Sequence, residues 1–193
     1  TCGIGPITHF DTENFKVKVA AEVKDFDGAA LLGKQEAAHL DLFSQYALVA
    51  SDEAMADSGL DAEDAIDRER LGVYVGSGVG GINAFADNVH VIADRGPRRA
   101  SPFMITMMIA NMATGNIAIR HKALGPTLPV VTACATSAHA VGEAFRAIKH
   151  GYADAILAGG AEAAIMPESI AGFTSCRALT TNPDPATACR PFD

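Results

Sequence analysis

Cys134 is the residue of this chain best placed for covalent chemistry. It follows an apolar run with strand character, Leu128 to Val131, and precedes a helical pattern from Ala135 to His150. A cysteine at such a turn sits near the positive end of the helix dipole. That position favours the thiolate, the form that attacks carbonyls. The turn also lifts the side chain out at the sheet edge. The competing reading is a small cysteine buried between strand and helix, a frequent fate of free cysteine.

A second pattern is Gly76-Ser-Gly-Val-Gly-Gly81, which satisfies G-x-G-x-x-G after a strand and before a helix. That spacing is the dinucleotide fingerprint, and it fits equally a tight turn where backbones approach closely. The nucleotide reading also wants an acid ending the next strand. Asp94 lies at about the right separation but at a helix end, and no Gly-Lys-Ser/Thr follows. A nucleotide-binding module using Gly76 to Gly81 is therefore an alternative. The six histidines offer little acid–base support. His139 lies five positions after Cys134, which on a helix of ~3.6 residues per turn places it off the cysteine's face. His9, His39, His90, His121 and His150 stand in polar or loop contexts.

The elements that must position these residues follow from periodicity. Val17 to Ala20 alternates weakly, like an edge strand. Glu36 to Ser58 reads as one long helix stopped by Gly59. Leu71 to Val75 is a buried strand, and Ile82 to Ala93 a helix ended by Arg95-Gly96-Pro97. Ile105 to Arg120 reads as a single helix buried on most faces, because it carries few charges. Leu128 to Val131 and Ala153 to Ala158 are strands, and Glu168 to Arg177 is helical. The alternation of strand and helix predicts an α/β fold with a mainly parallel sheet.

Composition narrows the function. A chain of 193 residues, 49% of them hydrophobic, can bury a real core. Its 15 basic and 23 acidic side chains give a net charge of −8, which argues against nucleic acid as the main partner. No apolar run reaches the ~18 residues of a membrane span. Cys2, Cys134, Cys176 and Cys189 lack metal spacing and fit free thiols in a reducing, cytoplasmic setting.

The stretch Val130-Val-Thr-Ala-Cys-Ala-Thr-Ser-Ala-His-Ala-Val-Gly-Glu-Ala-Phe145 resembles the active-site segment of the β-ketoacyl-acyl-carrier-protein synthases, in their elongating type II branch. Further landmarks follow in family order: Gly5-Pro6-Ile7-Thr8, Phe10-Asp11, Val23 to Phe26, Gly76 to Gly81, Gly96-Pro-Arg-Arg99, Ser101-Pro-Phe103, Ala158 to Ala163, and Arg190-Pro-Phe-Asp193. The resemblance covers essentially the whole chain. It implies the thiolase-like layered α/β/α/β/α fold, built from two similar halves. Residues 1–193 then read as most of the first half, an N-terminal ketosynthase domain incomplete at both ends.

The same resemblance implies a decarboxylating Claisen condensation in fatty-acid biosynthesis. Cys134 takes an acyl chain from acyl-carrier protein, and malonyl-carrier protein supplies the two-carbon unit. No cofactor is implied. Val79 matches the family's chain-length gate. Phe103, Met104, Ile105 and Met108 match the acyl and malonyl binding region, although Met and Ile at helical spacing also suit a core. Thr106 and Ser137 depart from the proline and glycine common there. Arg98, Arg99 and Arg177 match carrier-contact positions, whereas Glu36-Ala-Ala-His39 replaces a usual basic run. Two histidines and a lysine that assist the family's reaction are expected in the other half, so the 193 residues alone are expected to be inactive. Family enzymes are homodimers. A polyketide ketosynthase shares the active-site segment and is an alternative. A non-catalytic chain-length partner would lack Cys134.

Overall fold

The computed structural model describes residues 2–62 and 64–192. Asp193, the last residue of the Arg190 landmark, lies outside the described residues. In chain order the elements are β1 (Gly5–Pro6), β2 (Val19–Ala20), α1 (Gly28–Leu32), α2 (Lys34–Ala37), α3 (Leu42–Ser58), β3 (Leu71–Gly76), α4 (Ile82–Arg95), α5 (Met104–Met108), α6 (Met112–Arg120), α7 (Thr136–Lys149), β4 (Ala155–Gly160) and α8 (Pro167–Ser175). The chain divides into two compact units, residues 27–163 and residues 1–26 with 164–193.

In the larger unit, β3 pairs with β4 in parallel, Leu71 opposite Ala155 through Gly76 opposite Gly160. On its other side Val73 forms a parallel bridge with Thr127. All of β3 is buried. Successive side chains of a strand face opposite ways, and β3 uses both faces. Leu71, Val73 and Val75 join Phe43, Leu48 and Met55 of α3 with Ala113 and Ile117 of α6. Tyr74 packs with Ala144 and Ala147 of α7 and with Ile156 of β4. The result is three layers, α3 and α6, then sheet, then α7. Each fully buried large apolar side chain contributes ~1.5–3 kcal/mol to holding them together.

The expected helix from Glu36 to Ser58 is two helices. Gln45 Nε2 donates to the carbonyls of Ala37 and Leu40 at 3.1 and 3.0 Å, closing α2. The Asp41 carboxylate then caps α3 by accepting from the Phe43 N–H at 3.3 Å. Its second oxygen accepts from the Ala84 N–H at 2.7 Å, tying the starts of α3 and α4 together. Burial pushes the Asp41 carboxyl above the usual carboxylate range, against these hydrogen bonds. Gly59 ends α3 in the left-handed conformation, φ 70°, as its position as a stop predicts.

The expected helix from Ile105 to Arg120 is also broken, because the Met108 carbonyl accepts from the Gly81 N–H at 2.9 Å. It is not buried on most faces either. Only Ala113, Thr114 and Ile117 of α5 and α6 are buried, while Ile105 and Ile119 are 58% and 77% exposed. The expected strand from Leu128 to Val131 reduces to the Thr127 bridge and one bond from the Leu128 N–H to the Val73 carbonyl at 3.0 Å. Beyond it, the Val130 carbonyl lies against the Gly76 α-carbon, where any Cβ would collide.

The smaller unit pairs β1 with β2 antiparallel. Its core is Ile7, Val17 and Ile170, with Phe10, Phe15, Ile165 and Leu179 around them.

Candidate active site

The turn carrying Cys134 is held by its own neighbours. Thr132 takes φ −137° and ψ 42°, Ala133 takes φ +51°, and Ala133–Ala135 forms a 3₁₀ turn that runs into α7. A left-handed alanine costs about 1–2 kcal/mol, so the surroundings must hold it. Thr136 Oγ1, buried, accepts from the Thr132 N–H at 2.9 Å. His139 Nδ1 lies 2.8 Å from Thr132 Oγ1, and the Ala135 N–H donates to the Thr132 carbonyl at 3.1 Å. Among the described residues, none of these bonds uses the Cys134 N–H. Gly160 lets the end of β4 approach α7, since a Cβ there would stand 3.1 Å from Ser137 Cβ.

Cys134 is exposed, which removes the reading of a cysteine buried between strand and helix. Cys2, Cys176 and Cys189 are exposed too. The turn, not exposure, singles Cys134 out. His139 also sits against this turn. The ring folds back onto Thr132, two residues before the cysteine, and serves the shape of the turn.

The glycine loop after β3 is filled from within. Glu162, two residues past β4, accepts from Ser77 Oγ at 2.9 Å through one oxygen. Its other oxygen accepts from the N–H groups of Gly78 and Val79 at 2.9 and 3.2 Å. Ser77 Oγ accepts from the Gly80 N–H at 2.9 Å. The Gly81 N–H goes to Met108, and that of Ile82 to the Gly80 carbonyl at 2.9 Å. A phosphate needs such amides free. The dinucleotide reading of Gly76 to Gly81 is therefore wrong: the protein's own carboxylate occupies the cradle. Sequence reasoning missed Glu162. The available signal was an acid two residues beyond Gly159-Gly160 at a strand end, beside a loop rich in donors.

The remaining candidates fall into separate settings. Val79 is 44% exposed on the loop. Met108 borders the same loop through its carbonyl, and a Cβ at Gly80 would stand 2.7 Å from that oxygen. Ile105 is exposed on α5. The Phe103 ring stacks on His39, centroids 3.9 Å apart and planes 25° apart. Arg98 and Arg99 are exposed in a 3₁₀ turn, Pro97–Arg99. Arg177, in the smaller unit, is exposed with φ +59° just after α8. It borders a cavity of about 680 Å³ that Lys16 also lines. Glu36, which replaces an expected basic residue, pairs with Arg120 at 3.2 Å. Arg120 in turn grips both oxygens of Asp52 at 2.6 and 2.7 Å.

The model of the β-ketoacyl synthase N-terminal domain matches residues 2–193. The 3-oxoacyl-[acyl-carrier-protein] synthase 2 of Staphylococcus aureus strain N315 is 47% identical over 190 residues, which cover 98% of this chain and 46% of that protein. A solved β-ketoacyl synthase from Burkholderia phymatum STM815 superposes with a TM-score of 0.85 at 26% identity, over 100% of this chain and 47% of that one. A type II PKS acyl-carrier protein in complex with its ketosynthase, bound to the hexaketide, gives a TM-score of 0.75 at 27% identity over 83% of this chain and 46% of that one. The chain thus spans about half the length of the curated relatives it matches. With the fold, the cysteine turn and the sequence match in agreement, the chain belongs to the β-ketoacyl synthase family and has its thiolase-like fold.

Proposed function

We propose that the complete protein elongates fatty acids as a 3-oxoacyl-acyl-carrier-protein synthase, with Cys134 as its nucleophile. The observation that carries this reading is Cys134 itself, exposed at the start of α7 behind a left-handed Ala133. The 47% identity to a 3-oxoacyl-acyl-carrier-protein synthase favours fatty-acid over polyketide synthesis.

In this mechanism the Cys134 thiolate attacks the thioester carbonyl of an acyl-carrier protein, and the carrier's thiol leaves. The Cys134 N–H stabilises the oxyanion of that step. Malonyl-carrier protein then loses carbon dioxide. Its carbanion attacks the Cys134 thioester, the cysteine leaves as thiolate, and the chain is two carbons longer. His139 is engaged by Thr132, so the groups that polarise the malonyl carbonyl belong outside the 193 residues. Val79 borders the acyl pocket, and Phe103, Ile105 and Met108 border the acyl and malonyl binding region. Arg98, Arg99 and Arg177 meet the acidic carrier, and the solved carrier–ketosynthase complex supports a partner of that kind. A homodimer in the cytoplasm completes the reading, in keeping with four free thiols.

Two variants of the complete protein test it. Reversing Arg98 and Arg99 to Glu should raise the KM for acyl-carrier protein and weaken its salt dependence, while a small acyl-thioester mimic reacts as before. Equal loss with both substrates would remove the arginines from the dock. Val79→Phe should shorten the accepted acyl chain, and an unchanged length profile would take Val79 out of the pocket.

A further inference from the structure

We propose that Glu162 is a positioning residue for acyl-chain selectivity, holding the Val79 loop beside the turn that carries Cys134. The inference rests on the reading of Cys134 and Val79 above. β3 and β4 end side by side at Gly76 and Gly160, and the Ala161 N–H still donates to the Gly76 carbonyl at 3.0 Å. One residue later the Glu162 carboxylate reaches across and takes three donors from Ser77, Gly78 and Val79. Bonds to an ionised carboxylate are roughly twice as strong as neutral ones. Ser77 extends the clamp by one residue, because its buried hydroxyl accepts from Gly80 as it donates to Glu162. Asn83 adds a second tie between the same segments, donating to the Ala163 carbonyl at 2.8 Å.

The clamp reaches the nucleophile through Gly78. A Cβ built on Gly78 would lie 2.9 Å from Glu162 Oε2 and 3.4 Å from the Ala133 carbonyl oxygen. Gly78 therefore lies close to both Glu162 and Ala133, the residue before Cys134. A loop of Gly-Val-Gly-Gly has little stiffness of its own, since glycine adopts most backbone conformations. The position of Val79 is set by what its amide is bonded to, and that is Glu162.

The test measures acyl transfer to Cys134 in the complete protein, using acyl-carrier proteins of increasing chain length. Glu162→Ala removes all three acceptor contacts. Glu162→Gln keeps an acceptor for the two amides and a polar contact to Ser77. In Glu162→Ala the ratio of rates between the preferred chain and one four carbons longer should fall by about tenfold, the factor expected for one charge-assisted hydrogen bond. Glu162→Gln should stay within about twofold of the unsubstituted ratio, and Ser77→Ala should fall between the two. A wild-type ratio in Glu162→Ala overturns the proposal. So does an equal loss with every chain length in both Glu162 variants, which marks a general structural role. Should Glu162→Ala fail to fold, Ser77→Ala carries the test, and a wild-type ratio there overturns the proposal. No acyl thioester on Cys134 in the unsubstituted protein sinks the functional reading itself, a different outcome from any of these.

Discussion

The turn after β3 and the turn before α7 differ in what they leave free. After β3, the amides of Gly78 to Gly81 are engaged by Glu162, Ser77 and Met108. Before α7, the turn Thr132 to Thr136 bonds internally around Thr132 and leaves Cys134 exposed. The first carries a ligand-binding motif and binds part of its own protein. The second carries no ligand motif and presents an exposed cysteine. A glycine pattern thus announces close backbone approach, and only the partners of its N–H groups decide whether a ligand can enter.

The largest effect expected from breaking this contrast is at Cys134, the proposed nucleophile. Cys134→Ala in the complete protein should lower condensation by about three orders of magnitude or more, measured as 3-oxoacyl product formed. Next is Gly76, which admits both turns to one place. A Cβ there would overlap the Val130 carbonyl oxygen and stand 2.5 Å from Thr136 Cγ2. Gly76→Ala should destabilise the chain by about 3 kcal/mol or more, read from denaturant unfolding.

Acid sensitivity should come from a mostly buried histidine of the larger unit. The His121 ring is mostly buried, its Nε2 2.9 Å from Ser51 Oγ and 3.4 Å from Asp52. Burial holds its pKa below the ordinary 6.5, outweighing the Asp52 carboxylate, with Arg120 and Arg68 acting in the same direction as burial. The folded chain therefore favours the neutral ring. Its stabilisation is present above 6.5 and is lost as pH falls through the lowered folded value. The melting temperature should drop more on acidification in the parent chain than in His121→Gln, and equal slopes would clear His121.

The smallest effect is a control within α7. Gly142 has open space where a Cβ would go, so Gly142→Ala should stabilise by ~0.5–1 kcal/mol. Together with Gly76→Ala it separates a glycine needed for approach from one that is not.

Much of this was legible in the sequence, for identifiable reasons. The alternation of apolar runs gave β3 and β4, Gly59 gave the end of α3, and the residues around Cys134 gave the turn and the family. What escaped notice was set by long-range hydrogen bonds. Gln45 and Asp41 split an apparently continuous helix, and Gly81 drew the Met108 carbonyl out of another. Glu162 lies more than eighty residues from the loop it holds, so no local pattern could connect them. The helical angle of His139 leaves it off the cysteine's face but cannot show that its side chain turns back to Thr132.

The central claim is tested most directly by finding where an acyl group lands. The complete protein is incubated with a long-chain acyl-carrier protein, digested without reductant, and its four exposed cysteines are mapped by mass spectrometry. The account predicts a thioester on Cys134, none on Cys2, Cys176 or Cys189, and no acylation in Cys134→Ala. Acyl groups spread over the four thiols, or undiminished in Cys134→Ala, would contradict it.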